Sequence, residues 1–113
     1  MAKKRKGTKP KYSKEQLQHL IREATADCYG EDEEVMGLTT MIEDSLSVPF
    51  ETEVLGITVT VESIENVRRR EVVAICRAGN HQQAISLADL PIPSPPPESA
   101  EWIAAYRHWA SMF

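Results

Sequence analysis

The order of apolar and polar positions along the chain predicts an α+β domain that begins with two helices. In residues 13–28 and 31–46, apolar side chains recur at intervals of three and four residues, which is the period of an amphipathic helix. Ser13 and Gln16 have the spacing of a capping box and predict where the first helix begins. Four acidic residues open the second segment, where the positive end of a helix dipole favours them.

The period changes to two after Pro49, and this change predicts a β-rich middle part. Alternating apolar and polar residues indicate short strands, which turn signals at Gly56 and at Gly79–Asn80 join into hairpins. Successive short strands of this kind predict a small antiparallel β-sheet or a partly closed barrel. The predicted strands are residues 50–55, 57–64, 71–77 and 82–87.

The last part of the chain predicts a stiff connector and a C-terminal packing helix. Residues 91–97, PIPSPPP, are typical of a polyproline-like strap, with a Pro-x-x-Pro recognition segment as the alternative. A helix is then expected from Ser99 to Ser111, with Ser99 as its cap. Its apolar side chains share one face and should pack the helix onto the domain. They are Trp102, Ile103, Tyr106, Trp109 and Ala110.

The length of 113 residues fits one domain with a tail. Residues 1–12 are mostly basic and cannot bury apolar surface, so we predict a disordered basic arm in front of a single acidic domain over residues 13–113. No apolar run approaches the roughly 18 residues of a membrane span, and no secretory signal is recognisable. Cys28 and Cys76 lack metal or redox spacing, which predicts free thiols in a reducing cytoplasm.

Charge is distributed very unevenly along the chain, although the net charge is only −4. Residues 1–22 carry eight basic side chains and one carboxylate, whereas residues 23–67 carry twelve carboxylates and no Lys or Arg. Crowded carboxylates repel one another and weaken the compact state. Solvent and salt, a basic protein partner or a bound hard cation could each relieve this repulsion.

The spacing of the carboxylates favours a cation. At about 100° per residue, Asp27 falls at the margin of the apolar stripe of the first helix. Glu31 and Glu34 fall inside or beside the stripe of the second helix, and unpaired carboxylates aimed at a helix junction are costly. Calcium suits such a set because it accepts six to eight oxygen ligands in loose geometry. The EF-hand pattern is absent, and a solvated acidic surface remains the alternative.

Other chemistries have weaker support in the sequence. The three histidines are scattered, no Ser or Cys has a recognisable nucleophile context, and no Cys/His set has the spacing of a zinc site, so we do not expect an enzyme. The rival hypothesis is a nucleic-acid-binding module that uses residues 3–11 together with the basic run Arg68, Arg69 and Arg70. A third is an acidic face that binds a basic protein.

Three segments resemble the calcium-binding protein family of heterocyst-forming cyanobacteria. They are DCYGEDEEVMGLTTMIED, PFETEVLG and AEWIAAYRHW, and the resemblance extends over roughly residues 13–111. It implies a cytosolic calcium buffer or regulator that binds Ca²⁺ through carboxylates without an EF-hand. The Lys-rich arm is not part of the resemblance.

The expected calcium ligands follow from the spacing and the resemblance together. Asp27, Glu31 and Glu34 are expected at the helix junction. Glu33, Glu43 and Asp44 are expected as supporting or second-site groups. Calcium is thus the expected ligand, an unknown protein partner is possible, nucleic acid is possible only through the basic arm, and no membrane partner is expected.

Overall fold

The structure is a computed structural model that describes residues 12–68 and 70–113. Apart from Tyr12, the predicted basic arm lies outside the described residues. The described chain forms three helices and four strands, which confirms the α+β prediction. In chain order they are α1 (Lys14–Ala24), α2 (Glu31–Ser45), β1 (Phe50–Val54), β2 (Ile57–Arg68), β3 (Glu71–Ala78), β4 (His81–Ser86) and α3 (Glu101–Ala110).

Helix α1 begins where the capping-box pattern predicts. The Ser13 hydroxyl oxygen accepts from the Gln16 backbone N–H at 3.1 Å, and the Gln16 side chain accepts from the Ser13 backbone N–H at 2.8 Å. The helix is shorter than the apolar period suggests, because the Thr25 hydroxyl and N–H both bond to the carbonyl of Ile21 and close the last turn. Asp27 therefore lies beyond the helix, and its predicted place on the helical stripe was wrong.

Helix α2 confirms the second predicted helix almost to the residue. Gly30 is its N-cap and has φ = 124°, a left-handed backbone angle that glycine adopts without strain. No side-chain hydrogen bond caps the helix at Gly30, and the four carboxylates of its first turn complement the helix dipole. The chain becomes extended at Leu46.

The four strands form one open antiparallel sheet in the order β1-β2-β3-β4. Of the two predicted forms, the small sheet is therefore correct and the barrel is not. Strand β2 extends to Arg68 instead of ending at residue 64, because it continues to pair with β3 through register shifts at Val61/Ser63 and Asn66/Arg68. These irregularities interrupt the simple alternation from which the shorter strand was predicted.

Helix α2 packs on β2, α3 packs on α1 and α2, and these elements share a single hydrophobic core. The predicted C-terminal packing helix is confirmed, since both tryptophans of α3 are buried. The helix begins at Glu101 and not at Ser99, which has φ = 69° and cannot belong to a helix. The strap before it is tied to β1, since the Thr52 hydroxyl donates to the carbonyl of Pro91 at 2.6 Å.

Candidate functional site

The candidate site is the α1–α2 junction, which comprises residues 25–34. Helix α2 approaches the end of α1 so closely that a Cβ on Gly37 would lie 2.3 Å from the carbonyl oxygen of Ala24. The Cys28 thiol lies within this contact, with its sulfur 3.3 Å from the carbonyl oxygen of Glu33. Gly37 has no side chain, and this allows α1 and α2 to approach each other closely at the junction.

Glu31 forms an ion pair that the sequence could not specify. Its carboxylate lies 2.9 Å from Nη1 of Arg70, which follows β2 in the chain, and both side chains are about half exposed at 46%. The Arg70 guanidinium also lies 5.4 Å from the centroid of the Phe113 ring, and the Tyr106 hydroxyl donates to the Arg70 carbonyl at 3.3 Å. A pair this exposed contributes about 0–1 kcal/mol, so an incoming cation can compete with it.

Glu33 and Glu34 each accept one hydrogen bond from a fixed donor. The Tyr29 backbone N–H donates to Glu33 at 2.8 Å, which folds the loop against the start of α2. The Trp109 indole N–H donates to Glu34 at 2.8 Å, so the half-buried Glu34 is oriented towards α3. Both carboxylates keep further lone pairs, because an ionised carboxylate accepts about four hydrogen bonds.

The remaining predicted ligands are dispersed. Asp27 is exposed in the turn after α1. Glu43 and Asp44 are exposed near the other end of α2, and at 1.5 Å per residue Glu43 lies roughly 14 Å along the axis from Glu34. Glu43 lines a separate depression together with Glu65 of β2. The two distal carboxylates therefore cannot share one ion with the junction, and they could serve only a second site.

Burial and the acidic residues of the junction both affect the pKa of the Cys28 thiol. Burial raises the pKa of Cys28, and the carboxylates Glu33, Glu34 and Asp27 raise it further. These carboxylates come from both sides of the loop, and each of them disfavours the negatively charged thiolate. Both cysteines are free, as predicted, and Cys76 is buried in the core.

An open depression at the junction offers oxygen donors. Its volume is about 460 Å³, and its lining residues are Tyr29, Gly30, Glu31, Asp32 and Glu33. Across residues 12–68 and 70–113, no group of three or more Asp, Glu, His or Cys side chains is assembled closely enough to hold a metal ion. The donor types therefore suit a hard cation, but they are not assembled into a ring of carboxylates.

Two arginines of the basic run in the rival hypothesis lie beside carboxylates where the structure describes them. Arg68 lies 3.9 Å from Glu71, and Arg70 is paired with Glu31. Arg69 and residues 1–11 lie outside the described residues. Arg70 thus contacts the acidic region, whereas the role of the run in nucleic-acid binding stays a prediction.

In comparisons with known proteins, no protein-family model, curated protein or solved structure matches this chain. The resemblance to the cyanobacterial calcium-binding family therefore stays a prediction. Among the described residues, no helix has both the length and the apolar character needed to cross a bilayer.

Proposed function

We propose that the protein binds Ca²⁺ reversibly at the α1–α2 junction and acts as a cytosolic calcium buffer or regulator. The observation that carries the proposal is the open depression at the junction, which Glu31, Asp32 and Glu33 line and which lies in the same short stretch of chain as Asp27. Calcium is the physiological cation that best tolerates such a loose, all-oxygen donor set.

The ligands would come from both the side chains and the backbone of the junction. Calcium accepts backbone carbonyls and water besides carboxylates, so it does not need three acidic side chains already in contact. Asp27 and Glu33 are the proposed principal ligands, because both are exposed. Glu31 would become a ligand by giving up its ion pair with Arg70. Glu34, which accepts a hydrogen bond from Trp109, would contribute negative charge near the ion without binding it directly.

Binding would also stabilise the fold. A cation at the junction would offset the repulsion among the carboxylates of residues 27–34. Any ligand that binds the native state and not the unfolded chain raises the free energy of unfolding by mass action. A calcium-dependent increase in stability is therefore part of the proposal.

The Cys28 thiol provides a direct test of where the ion binds. Calcium at the junction should lower the pKa of Cys28, because a divalent cation counters the carboxylates that raise it. The measurement is the pH dependence of Cys28 alkylation with and without calcium. Its midpoint reports the pKa, while its plateau reports access to the thiol. Cys76, which is 3% exposed, should react slowly in both states.

Matched variants locate the effect. The double variant Asp27→Asn/Glu33→Gln should lower the Cys28 pKa by itself and abolish the further shift with calcium. Glu51→Gln/Glu53→Gln removes the same charge from exposed positions on β1 and should leave the shift intact. A midpoint that calcium does not move, or one that still moves in the junction variant, would refute binding at this site.

A further inference from the structure

Among the described residues, strand β4 is an edge of the sheet with no element paired to its outer side. Within residues 12–68 and 70–113 it pairs with β3 alone, and the β3–β4 register has no shift from Val73↔Ser86 to Ala78↔His81. Its sequence, HQQAIS, contains no Asp, Glu, Lys, Arg or Pro. Natural sheets usually blunt an exposed edge with charges, proline or a bulge, because an unpaired strand edge binds other strands.

The opposite edge of the same sheet shows this protection. Pro49 precedes β1, and Glu51 and Glu53 place two carboxylates on its five residues. The strap also lies against β1, where Thr52 donates to the carbonyl of Pro91. In the part of the chain that the structure describes, the β1 edge thus carries charge, proline and the strap, whereas the β4 edge has none of them.

The free backbone groups of β4 can be assigned from its pairing. The Leu87 N–H donates to the Val72 carbonyl at 2.9 Å, which identifies a hydrogen-bonded position of the β3–β4 ladder. Such positions alternate along antiparallel strands, so every second residue of β4 directs its N–H and C=O away from β3. The outward residues are Gln82, Ala84 and Ser86. The Ser86 carbonyl already accepts from the Asp89 N–H at 2.9 Å, and it retains a second lone pair.

We propose that β4 pairs antiparallel with β4 of a second copy of this chain, about a two-fold axis at Ala84. This arrangement places Ala84 opposite the partner's Ala84, and Gln82 opposite the partner's Ser86. Every outward N–H then meets an outward carbonyl, and the two four-stranded sheets join into one. This inference is independent of calcium binding.

Charge favours a second copy as the occupant. The strand itself carries no acidic or basic side chain apart from His81, so a two-fold contact opposes neutral residues with neutral residues. Glu62 and Arg77, which lie beside Gln82, are already joined at 2.8 Å, and the Gln82 amide donates to Glu62 at 2.9 Å. A single strand edge buries little surface, so the dimer is expected to be weak and concentration-dependent.

Disulfide trapping tests the pairing and its register. In a Cys28→Ser background, oxidation of the Ala84→Cys variant should give a covalent dimer, because opposed hydrogen-bonded residues have Cα atoms about 5.5 Å apart, within disulfide range. The control is Gln82→Cys, since in the proposed register the two introduced thiols would be separated by roughly 14 Å along the strands. Equal trapping of the two variants, or no trapping of Ala84→Cys, would overturn the proposal.

Sedimentation equilibrium of the full chain tests the same contact without crosslinking. The unmodified protein should approach twice the chain mass as its concentration rises. Ala84→Pro should remain monomeric yet folded, because it removes only an outward N–H and proline is tolerated at such edge positions. Ala84→Lys should also be monomeric, whereas Ser47→Lys adds the same charge at another exposed position and should dimerise normally. A wild-type monomer at all concentrations, or a dimer that survives both Ala84 substitutions, contradicts the proposal.

Discussion

Replacing Trp109 with alanine is expected to lower the free energy of unfolding by about 3–5 kcal/mol. The side chain is 2% exposed, and its ring centroid lies 6.3 Å from that of Tyr106 and 4.8 Å from that of Phe113. Alanine would leave a large cavity where α3 meets the rest of the core, and it would also remove the hydrogen-bond donor of Glu34. Urea unfolding of the metal-free protein, monitored by circular dichroism, measures the loss.

Two companion variants separate packing from hydrogen bonding. Trp109→Phe keeps an aromatic ring in the core but leaves Glu34 without its indole donor, so a smaller loss of about 1–3 kcal/mol is expected. Met112→Ala truncates an apolar side chain of the same region that is 56% exposed, and it should change stability little. A Trp109→Ala protein as stable as the Met112→Ala protein would show that α3 does not hold the core in this way.

Gly37→Ala is expected to destabilise the protein by about 1–3 kcal/mol, the usual cost of overpacking. By helix propensity alone, alanine should stabilise this interior helical position by about 1 kcal/mol. The contact reverses the sign, because the new Cβ would lie 2.3 Å from the Ala24 carbonyl oxygen, and a backbone atom cannot rotate aside. Helix α1 must then move away from α2, which should also weaken calcium binding at the junction.

Thr40→Ala provides the comparison on the same helix. Thr40 is exposed, and its hydroxyl donates only to the carbonyl of Met36 within α2, so alanine there should be nearly neutral. Thermal unfolding of the two variants gives the difference directly. An increase in stability for Gly37→Ala would show that α1 and α2 are not in close contact.

The helices and their buried faces could be predicted because the spacing of apolar residues within a short segment determines them. The apolar period of α2 and the shared face of Trp102, Tyr106 and Trp109 survive unchanged in the structure. The end of α1 could not be predicted, because Cys28 continues the apolar period by chance although the helix closes at Thr25. The length of β2 was missed because its bulges shift the alternation on which the prediction depended.

The sequence predicted that acidic residues lie at the candidate site, but it could not predict which side chains they contact. Acidic density drew attention to residues 27–34, and the two helical periods predicted a helix junction there. They could not show that Glu31 is paired with Arg70, 39 residues away, or that Glu34 accepts from Trp109, 75 residues away. Such partners depend on how the sheet and α3 fold back onto α2, and no local pattern encodes them.

Calorimetric titration of the metal-stripped full chain with calcium, in physiological salt and with magnesium present, tests the central claim most directly. We expect saturable binding at micromolar or lower calcium and a raised melting temperature. Deletion of residues 1–11 should change calcium affinity little, whereas Asp27→Asn/Glu33→Gln should lower it greatly. The absence of saturable heat and of any thermal shift below millimolar calcium would contradict the claim. The acidic junction would then be a solvated surface or a surface for a basic partner.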